Sequence, residues 1–248
     1  MSAVLITGAA KRLGRAIALK LAETGFDVAI HYRSSKPEAE SLAAEIKNLG
    51  RRAALVDGEL SKESEVVTIV PRASAALGGL TALVNSASVF EDDRIENATR
   101  ASWDKHIETN LRAPLVLSQA FAKQLPADKE GAIVNIVDQV VLNLAPQLLS
   151  YTVSKAALWT LTQTLAQALA PRIRVNAVAP GPSLKAAKQT QANFDRQVAH
   201  DTLLKRPSSP EDIAEAVHYL LSARAVTGEM IAVDSGQHLV WHQDALFE

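Results

Sequence analysis

The stretch Val4-Leu5-Ile6-Thr7-Gly8-Ala9-Ala10-Lys11-Arg12-Leu13-Gly14 decides the fold of this chain. A short apolar run enters a glycine turn, and a helical pattern with apolar Leu13, Ile17 and Leu21 follows. At such a junction, backbone N–H groups and the positive end of the helix dipole face one point, which favours a bound pyrophosphate. The stretch predicts a dinucleotide site, although the same glycine spacing also marks a plain strand-to-helix connection.

Strands and helices alternate along the rest of the chain. Predicted strands cover residues 3–7, 27–32, 52–56, 81–85, 132–137, 173–178 and 230–233, and predicted helices cover 13–24, 37–49, 62–77, about 100–125, about 150–169 and 211–221. Pro114 is expected to bend or divide the long helical region. This alternation predicts a single α/β domain over residues 1–248, with a doubly wound parallel sheet of about seven strands and helices on both faces.

The segment 183–209 is polar, flanked by prolines and weakly periodic. It predicts a loop with a short helix or two. Because it follows a strand at the carboxyl edge of the sheet, it is placed where a mobile substrate lid would lie. A plain surface loop is the alternative interpretation.

The composition is typical of an enzyme with one large core. The chain has 248 residues, of which 48% are hydrophobic and 21% charged, and its formal net charge is −1. This balance gives no argument for binding nucleic acid or a membrane surface. Cysteine is absent, which excludes disulfides and thiol chemistry, and no metal site is predicted. No signal-peptide pattern or membrane-length apolar run is recognised, so a cytoplasmic location is the default expectation.

A catalytic centre is predicted from Tyr151-x-x-x-Lys155, because residues four apart lie on one face of a helix. An ammonium beside a phenol favours the phenolate, and is therefore expected to lower the pKa of Tyr151 and make it a usable proton donor. Asp138 follows the apolar run 132–137 and has a route to the same cleft. A surface Tyr–Lys pair is the alternative.

These motifs together resemble the short-chain dehydrogenase/reductase family over nearly the full chain, with its Rossmann fold. The matching residues are Thr7-Gly8, Gly14, Asn85-Ser86-Ala87-Ser88, Asn110, Tyr151-x-x-x-Lys155, Ile173-Arg174-Val175-Asn176 and Pro180-Gly181. Arg12 stands where a glycine is usual, Asp138 where serine is usual, and Phe90 follows the Asn-Ser-Ala-Ser turn. With His31-Tyr32-Arg33-Ser34 after strand two, these departures are similar to the pteridine reductase and dihydromonapterin reductase branch.

The resemblance implies a nicotinamide dinucleotide cofactor. The positions it assigns to cofactor binding are Gly8, Arg12, Leu13, Gly14, His31, Tyr32, Arg33, Ser34, Glu59, Leu60, Asn85, Ala87, Lys155, Pro180, Gly181 and Ser183. Asp57 competes with Glu59 for the adenine contact. The end of strand two carries no acid to hold ribose hydroxyls, whereas Arg33 and Arg12 suit a 2′-phosphate. NADPH is therefore expected, unless both arginines are merely solvated.

The resemblance also implies the catalytic roles. Tyr151 would give a proton to the reduced substrate, Lys155 would hold the nicotinamide ribose, and Asn110 would hold a water in a proton relay. Asp138 would orient the tyrosine or the substrate, with a structural carboxyl as the alternative. The substrate contacts implied are Arg12, Ser88, Phe90, Asp138 and Tyr151. Phe90 would stack on a flat ring, or else belong to the core.

Three functions remain open at this point. An ionised carboxylate repels the charge that develops on a ketone oxygen but pairs with a protonated ring nitrogen, so Asp138 favours a pterin C=N substrate. The alternatives are a ketoreductase acting on a small carbonyl or acyl thioester, and a non-catalytic NADP(H) sensor. The resemblance further implies a homotetramer, paired through the helices around 100–125 and 150–169. The tail residues Trp241 and His242 would lie at a subunit interface or else be frayed.

Overall fold

The computed structural model describes residues 2–185 and 189–240, so the predicted contacts of Trp241 and His242 lie outside the described residues. The strands are β1 (Ala3–Ile6), β2 (Asp27–Tyr32), β3 (Ala53–Asp57), β4 (Ala82–Asn85), β5 (Gly131–Ile136), β6 (Ile173–Pro180) and β7 (Met230–Val233). The helices are α1 (Arg12–Glu23), α2 (Lys36–Asn48), α3 (Glu63–Leu77), α4 (Arg100–Ile107), α5 (Ala113–Gln124), α6 (Leu149–Leu169), α7 (Gln191–Asp201) and α8 (Pro210–Ser222).

All seven strands form one parallel sheet in the order β3-β2-β1-β4-β5-β6-β7. The chain builds outward from β1 to β3 and then returns to place β4 on the other side of β1. The strand order therefore reverses between β1 and β4, and open sheets of this kind bind ligands in the crevice beyond the carboxyl ends at such a point. The predicted doubly wound α/β fold is confirmed.

Each face of the sheet carries its own apolar layer. On one face α1, α2 and α8 bury side chains such as Ile17, Leu42 and Val217. On the other, α3, α5 and α6 bury side chains such as Ile69 and Phe121. The strands between them are apolar on both faces, as expected for a parallel sheet covered on both sides. The carboxyl edge of a sheet held this firmly is a rigid support for polar side chains.

The predicted helical region about 100–125 is divided in the structure. A π-helical turn over Glu108–Arg112 separates α4 from α5, and Pro114 lies in the first turn of α5. The backbone stays helical from α4 through this turn into α5, and the N–H of Ala113 donates to the carbonyl oxygen of Glu108. The predicted helical region is therefore confirmed, and the π-helical turn, which was not predicted, lies just before Pro114, where a bend or boundary was expected.

The segment 183–209 contains one described helix, α7, whose first turn is capped by the side chain of Thr190. This agrees with the predicted loop with a short helix. Among the described residues, no helix combines the length and the apolar character needed to cross a bilayer.

Candidate active site

The glycine turn after β1 is packed too closely for side chains. Gly8 has a left-handed φ of +65°, and a Cβ there would lie 3.0 Å from the Cα of Ala87. A Cβ on Gly14 would collide with the carbonyl oxygen of Gly8. These glycines let the start of α1 approach the carboxyl end of β4, as the strand-turn-helix prediction requires.

Arg12 occupies the position of the missing glycine in a strained conformation. Its φ is +53°, a left-handed value that non-glycine residues adopt rarely and that is concentrated at functional sites. Its guanidinium donates hydrogen bonds to the carbonyl oxygens of Leu184 and Lys185, both at 3.2 Å. Arg12 therefore joins the glycine turn to the start of the segment 183–209, and Leu13 next to it is half-buried.

His31 supports the glycine turn from within the core. The N–H of Gly8 donates to Nδ1 of His31 at 3.2 Å, and Nε2 lies 3.1 Å from the carbonyl oxygen of Gly58. The ring is therefore neutral with its proton on Nε2, and burial lowers its pKa to about 4. Both ring nitrogens are used within the protein, which corrects the prediction that His31 contacts the cofactor directly.

The end of β2 presents a cation to the crevice. Arg33 is 63% exposed, and its Nη1 lies 3.5 Å from Oε2 of Glu59. Tyr32 before it is half-buried and Ser34 after it is exposed. Asp57 instead pairs with Arg72 of α3. The geometry thus favours Glu59 over Asp57 as the acid near the predicted adenine and 2′-phosphate position, next to buried Leu60.

The end of β4 is held by two buried polar contacts. Thr7 accepts hydrogen bonds from the N–H groups of Ser86 and Ala87, at 2.9 and 3.0 Å. Asn85 donates to Oδ1 of Asn135 at 2.8 Å, which ties β4 to β5. Asn85 was predicted to bind cofactor, and its side chain is buried in this sheet contact. Thr7 belongs to the quoted opening motif, but its part in the site was not predicted.

Tyr151, Asp138 and Lys155 meet beyond the end of β5. The phenol of Tyr151 donates to Oδ2 of Asp138 at 2.7 Å, while Oδ1 accepts from the N–H of Val140 at 2.8 Å. Nζ of Lys155 donates to the carbonyl oxygen of Ile136 at 2.8 Å and lies 5.7 Å from the centre of the Tyr151 ring. The structure thus brings the three predicted groups together.

The expected lowering of the Tyr151 pKa is wrong. Burial raises the pKa of Tyr151 well above its ordinary value, and the Asp138 carboxyl raises it further, while the Ser88 hydroxyl opposes them. Burial also raises the pKa of Asp138. It lowers the pKa of Lys155 to about 8, against the pull of Asp138. Burial and the carboxyl therefore keep the proton on the phenol.

Asn110 lies in the π-helical turn, and its side chain is saturated. Its Oδ1 accepts from Val89 N at 2.8 Å and Ser88 Oγ at 3.2 Å, while Nδ2 donates to Val89 O and Ser154 Oγ, both at 3.0 Å. A side-chain amide offers two donor hydrogens and two acceptor lone pairs, and all four are used. The side chain of Asn110 therefore joins the loop after β4 to α6, and the predicted role of Asn110 in holding a water stays a prediction.

Phe90 is half-exposed and packs edge-on against Tyr151, with ring centres 4.8 Å apart and planes at 90°. The core interpretation of Phe90 is therefore wrong, since the ring faces the cleft. Ser88, two residues earlier, is exposed at the same edge. Stacking of a flat substrate ring on Phe90 stays a prediction.

The end of β6 completes the crevice. Gly181 follows Pro180, the last residue of β6, and a Cβ on it would lie 2.7 Å from the Cα of Asp234. Ser183 donates from Oγ to the carbonyl oxygen of Gly181 at 3.2 Å. The close approach explains the glycine, and the cofactor contacts of this segment stay a prediction.

The comparisons with known proteins agree with this geometry. A family model described as enoyl-(acyl carrier protein) reductase matches residues 8–238. The 3-oxoacyl-[acyl-carrier-protein] reductase FabG of Staphylococcus epidermidis is 35% identical over 241 residues, which cover 95% of this chain and 98% of that protein.

Two solved structures share both fold and sequence with the chain. The FolM alternative dihydrofolate reductase 1 of Brucella canis, complexed with NADP, is 44% identical with a TM-score of 0.93, covering 100% of this chain and 98% of that one. A short chain dehydrogenase of Burkholderia cenocepacia, in complex with NADP, is 33% identical with a TM-score of 0.88, covering 95% and 97%. This chain therefore belongs to the short-chain dehydrogenase/reductase family and is an oxidoreductase.

Proposed function

We propose that the chain is an NADPH-dependent reductase of a pteridine-type C=N bond, with Tyr151 as the proton donor. The observation that carries this proposal is the 2.7 Å hydrogen bond from the Tyr151 phenol to Asp138. It puts a carboxyl where the oxygen of a reduced ketone would gain negative charge, which is unfavourable. A basic ring nitrogen can instead share a proton with that carboxyl.

The residues present fit a phosphorylated dinucleotide. Gly8 and Gly14 allow the tight turn that leads into α1, whose N-terminus would suit a pyrophosphate, and Arg33 offers a cation beyond β2. When bound, NADPH supplies the hydride. The FolM structure from Brucella canis is a complex with NADP, which supports the same cofactor here.

The chain's own residues would place the proton and the ring. Tyr151 would release its proton to the substrate nitrogen and Asp138 would hold or orient the basic edge of the ring. Lys155 would contact the nicotinamide ribose, with two ammonium hydrogens left beyond its bond to Ile136. Phe90 and Ser88 would face the ring from the loop after β4, and Arg12 from the glycine turn.

A ketoreductase is the second candidate, and the 35% identity to FabG favours it. The test is NADPH oxidation by the purified protein with dihydrobiopterin, dihydromonapterin and dihydrofolate beside a panel of ketones. Pterin turnover that Tyr151→Phe removes would support the proposal. Turnover of ketones alone would assign the chain to the general ketoreductases.

A further inference from the structure

A buried polar cluster lies beside the start of α6, outside the groups discussed so far. It consists of Asp93 from the loop after β4, Ser102 and His106 of α4, and Ser150 of α6, and is called here the Asp93 network. Asp93, His106 and Ser150 are 3%, 0% and 0% exposed. A carboxylate is placed in the core only where donors compensate for its lost hydration.

The donors and acceptors in the Asp93 network can be assigned from its hydrogen bonds. The N–H of Glu91 donates to Nε2 of His106 at 3.3 Å, so that ring carries its proton on Nδ1. The Nδ1–H of His106 is shared between Oγ of Ser150 at 2.7 Å and the carbonyl oxygen of Ser102 at 3.0 Å. Ser150 donates its own proton to Oδ2 of Asp93 at 2.6 Å. Ser102 donates to the same Oδ2 at 2.9 Å.

Asp93 also fastens the start of the catalytic helix. The N–H of Ser150 donates to Oδ1 of Asp93 at 2.9 Å, and the N–H of Leu149 donates to the Asp93 carbonyl at 2.9 Å. Leu148, at the N-cap position of α6, supplies no side-chain bond itself. A negative carboxylate at a helix N-terminus is favourable. Burial alone would raise the pKa of Asp93, but the bonds from Ser150 and Ser102 lower it, so it stays ionised.

The Asp93 network borders the two rings of the candidate site. Ser150 is the neighbour of Tyr151 in the chain, and the His106 ring centre lies 6.1 Å from that of Tyr151 with planes at 71°. Phe90, three residues before Asp93, also packs edge-on against the Tyr151 ring. The phenol proton itself goes to Asp138, so the hydrogen bonds of the network do not form the proton path.

We propose that Asp93, Ser150 and His106 are positioning residues. They fix the Tyr151 ring relative to Phe90, which lies in the same loop as Asp93. The inference rests on the proposed role of Tyr151. Displacing a reacting group by about 1 Å costs up to roughly a hundredfold in rate, so a rigid mount for the phenol has a direct catalytic consequence. Ser150 is the central residue of the Asp93 network, because both Asp93 and His106 form hydrogen bonds with its hydroxyl.

The test compares Ser150→Ala and Asp93→Asn with Thr160→Ala, which removes an exposed hydroxyl from the same helix. Neither network variant changes a ring that touches Tyr151. The chain has three tyrosines, so ¹⁹F NMR of 3-fluorotyrosine protein gives few signals, and Tyr151→Phe assigns the one that matters. We expect Ser150→Ala and Asp93→Asn to shift or broaden the Tyr151 signal and to leave the other two unchanged.

The kinetic expectation is a fall in kcat of roughly tenfold to a hundredfold, with the affinity for NADP⁺ kept within about twofold. A Tyr151 signal and a kcat that match those of Thr160→Ala would overturn the inference, as would parallel losses of kcat, NADP⁺ affinity and unfolding temperature. Asp93→Asn keeps an acceptor for Ser150 N–H and serves if Ser150→Ala fails to fold. If the wild type reduces no pterin, the proposed function fails, and the ¹⁹F signal still decides on the network.

Discussion

At the residue scale, the candidate site holds three ionisable groups whose pKa values are all displaced by burial. Asp138 and Tyr151 move upward and Lys155 moves down to about 8. Burial disfavours the charged form of each group, whereas Asp138 accepts a hydrogen bond at each carboxyl oxygen, as an ionised carboxylate does. Displaced pKa values in a cleft are characteristic of catalytic groups, which supports the proposed roles.

Asp138→Ser tests whether the carboxyl selects the substrate. We expect pterin kcat/KM to fall at least about tenfold while ketone turnover persists or rises, since serine donates to a ketone oxygen. Asp138→Asn is the matched control because it keeps the shape and removes the ionisable group. Pterin turnover that stays nearly intact in Asp138→Ser would make the carboxyl structural.

Arg33→Ala tests the cofactor preference. A charge-assisted hydrogen bond contributes about 1.5–3 kcal/mol, so KM for NADPH should rise roughly tenfold to a hundredfold. KM for NADH, which has no 2′-phosphate, should stay unchanged in the same variant and serves as the internal control. Equal changes in KM for NADPH and NADH would show that Arg33 does not bind the 2′-phosphate.

At the element scale, His31 links three pieces of the fold: β2, the glycine turn at Gly8 and the turn at Gly58. Its pKa is lowered to about 4 by burial, against the opposing effects of Gly58, Asp57 and Glu59. In the unfolded chain the His31 ring binds a proton near pH 6.5, whereas in the native chain it does so only near pH 4. Native stability is therefore lost as the pH falls through this interval, by on the order of 3 kcal/mol.

Urea unfolding between pH 7 and pH 4.5 checks this expectation. His31→Asn keeps an acceptor for the Gly8 N–H but does not titrate, so its midpoint should change less over that interval than the midpoint of the wild type. The raised pKa of Asp138 makes its own contribution to stability grow as the pH falls. Because Asp138 is present in both chains, this contribution cancels when the two are compared. Equal pH dependence of the two chains would show that His31 is not the cause.

The elements themselves could be predicted because their signals are local. Apolar periodicity, glycines such as Gly25 and Gly50, and Pro210 mark helices and strands within a few residues, and the structure agrees to within one or two positions at most of these ends. The π-helical turn at Glu108–Arg112 has no such signal, since it changes the helix by a single residue.

The contacts between elements were harder to predict. Asp93 and Ser150 are 57 residues apart, and no spacing rule joins them. The sign of the Tyr151 shift was also out of reach, because burial cannot be read from a Tyr-x-x-x-Lys motif. Helical spacing and the apolar run before Asp138 were nevertheless enough to place Tyr151, Lys155 and Asp138 in one cleft without knowledge of the sheet order.

At the scale of the whole molecule, the site is assembled from the carboxyl ends of strands that are distant in the chain. The reversal between β1 and β4 opens the crevice, and β5 and β6 extend it. Helix α6 carries Tyr151 and Lys155 on its buried face, while Val153 of α6 and Trp103 of α4 are 41% and 37% exposed. Exposed apolar side chains on α4 and α6 are consistent with the predicted pairing of subunits through these helices.

Light scattering tests the homotetramer, which stays a proposal. We expect a particle of about four 26.6-kDa subunits. Val153→Glu should reduce the mass by placing a charge in the helix pair, whereas Val67→Glu on the exposed face of α3 is the matched control. A wild-type particle with the mass of one subunit would contradict the prediction.

If Lys155 holds the nicotinamide ribose as proposed, its buried ammonium also makes cofactor binding a proton-linked event. Because its pKa is about 8, a growing share of free protein lacks this charge above that pH. A ligand that bonds to the ammonium favours the charged form, so binding draws protons from the buffer and weakens as the solution becomes alkaline. Calorimetry at pH 8.5 in two buffers of different ionisation enthalpy should reveal this uptake, and Lys155→Met should abolish it.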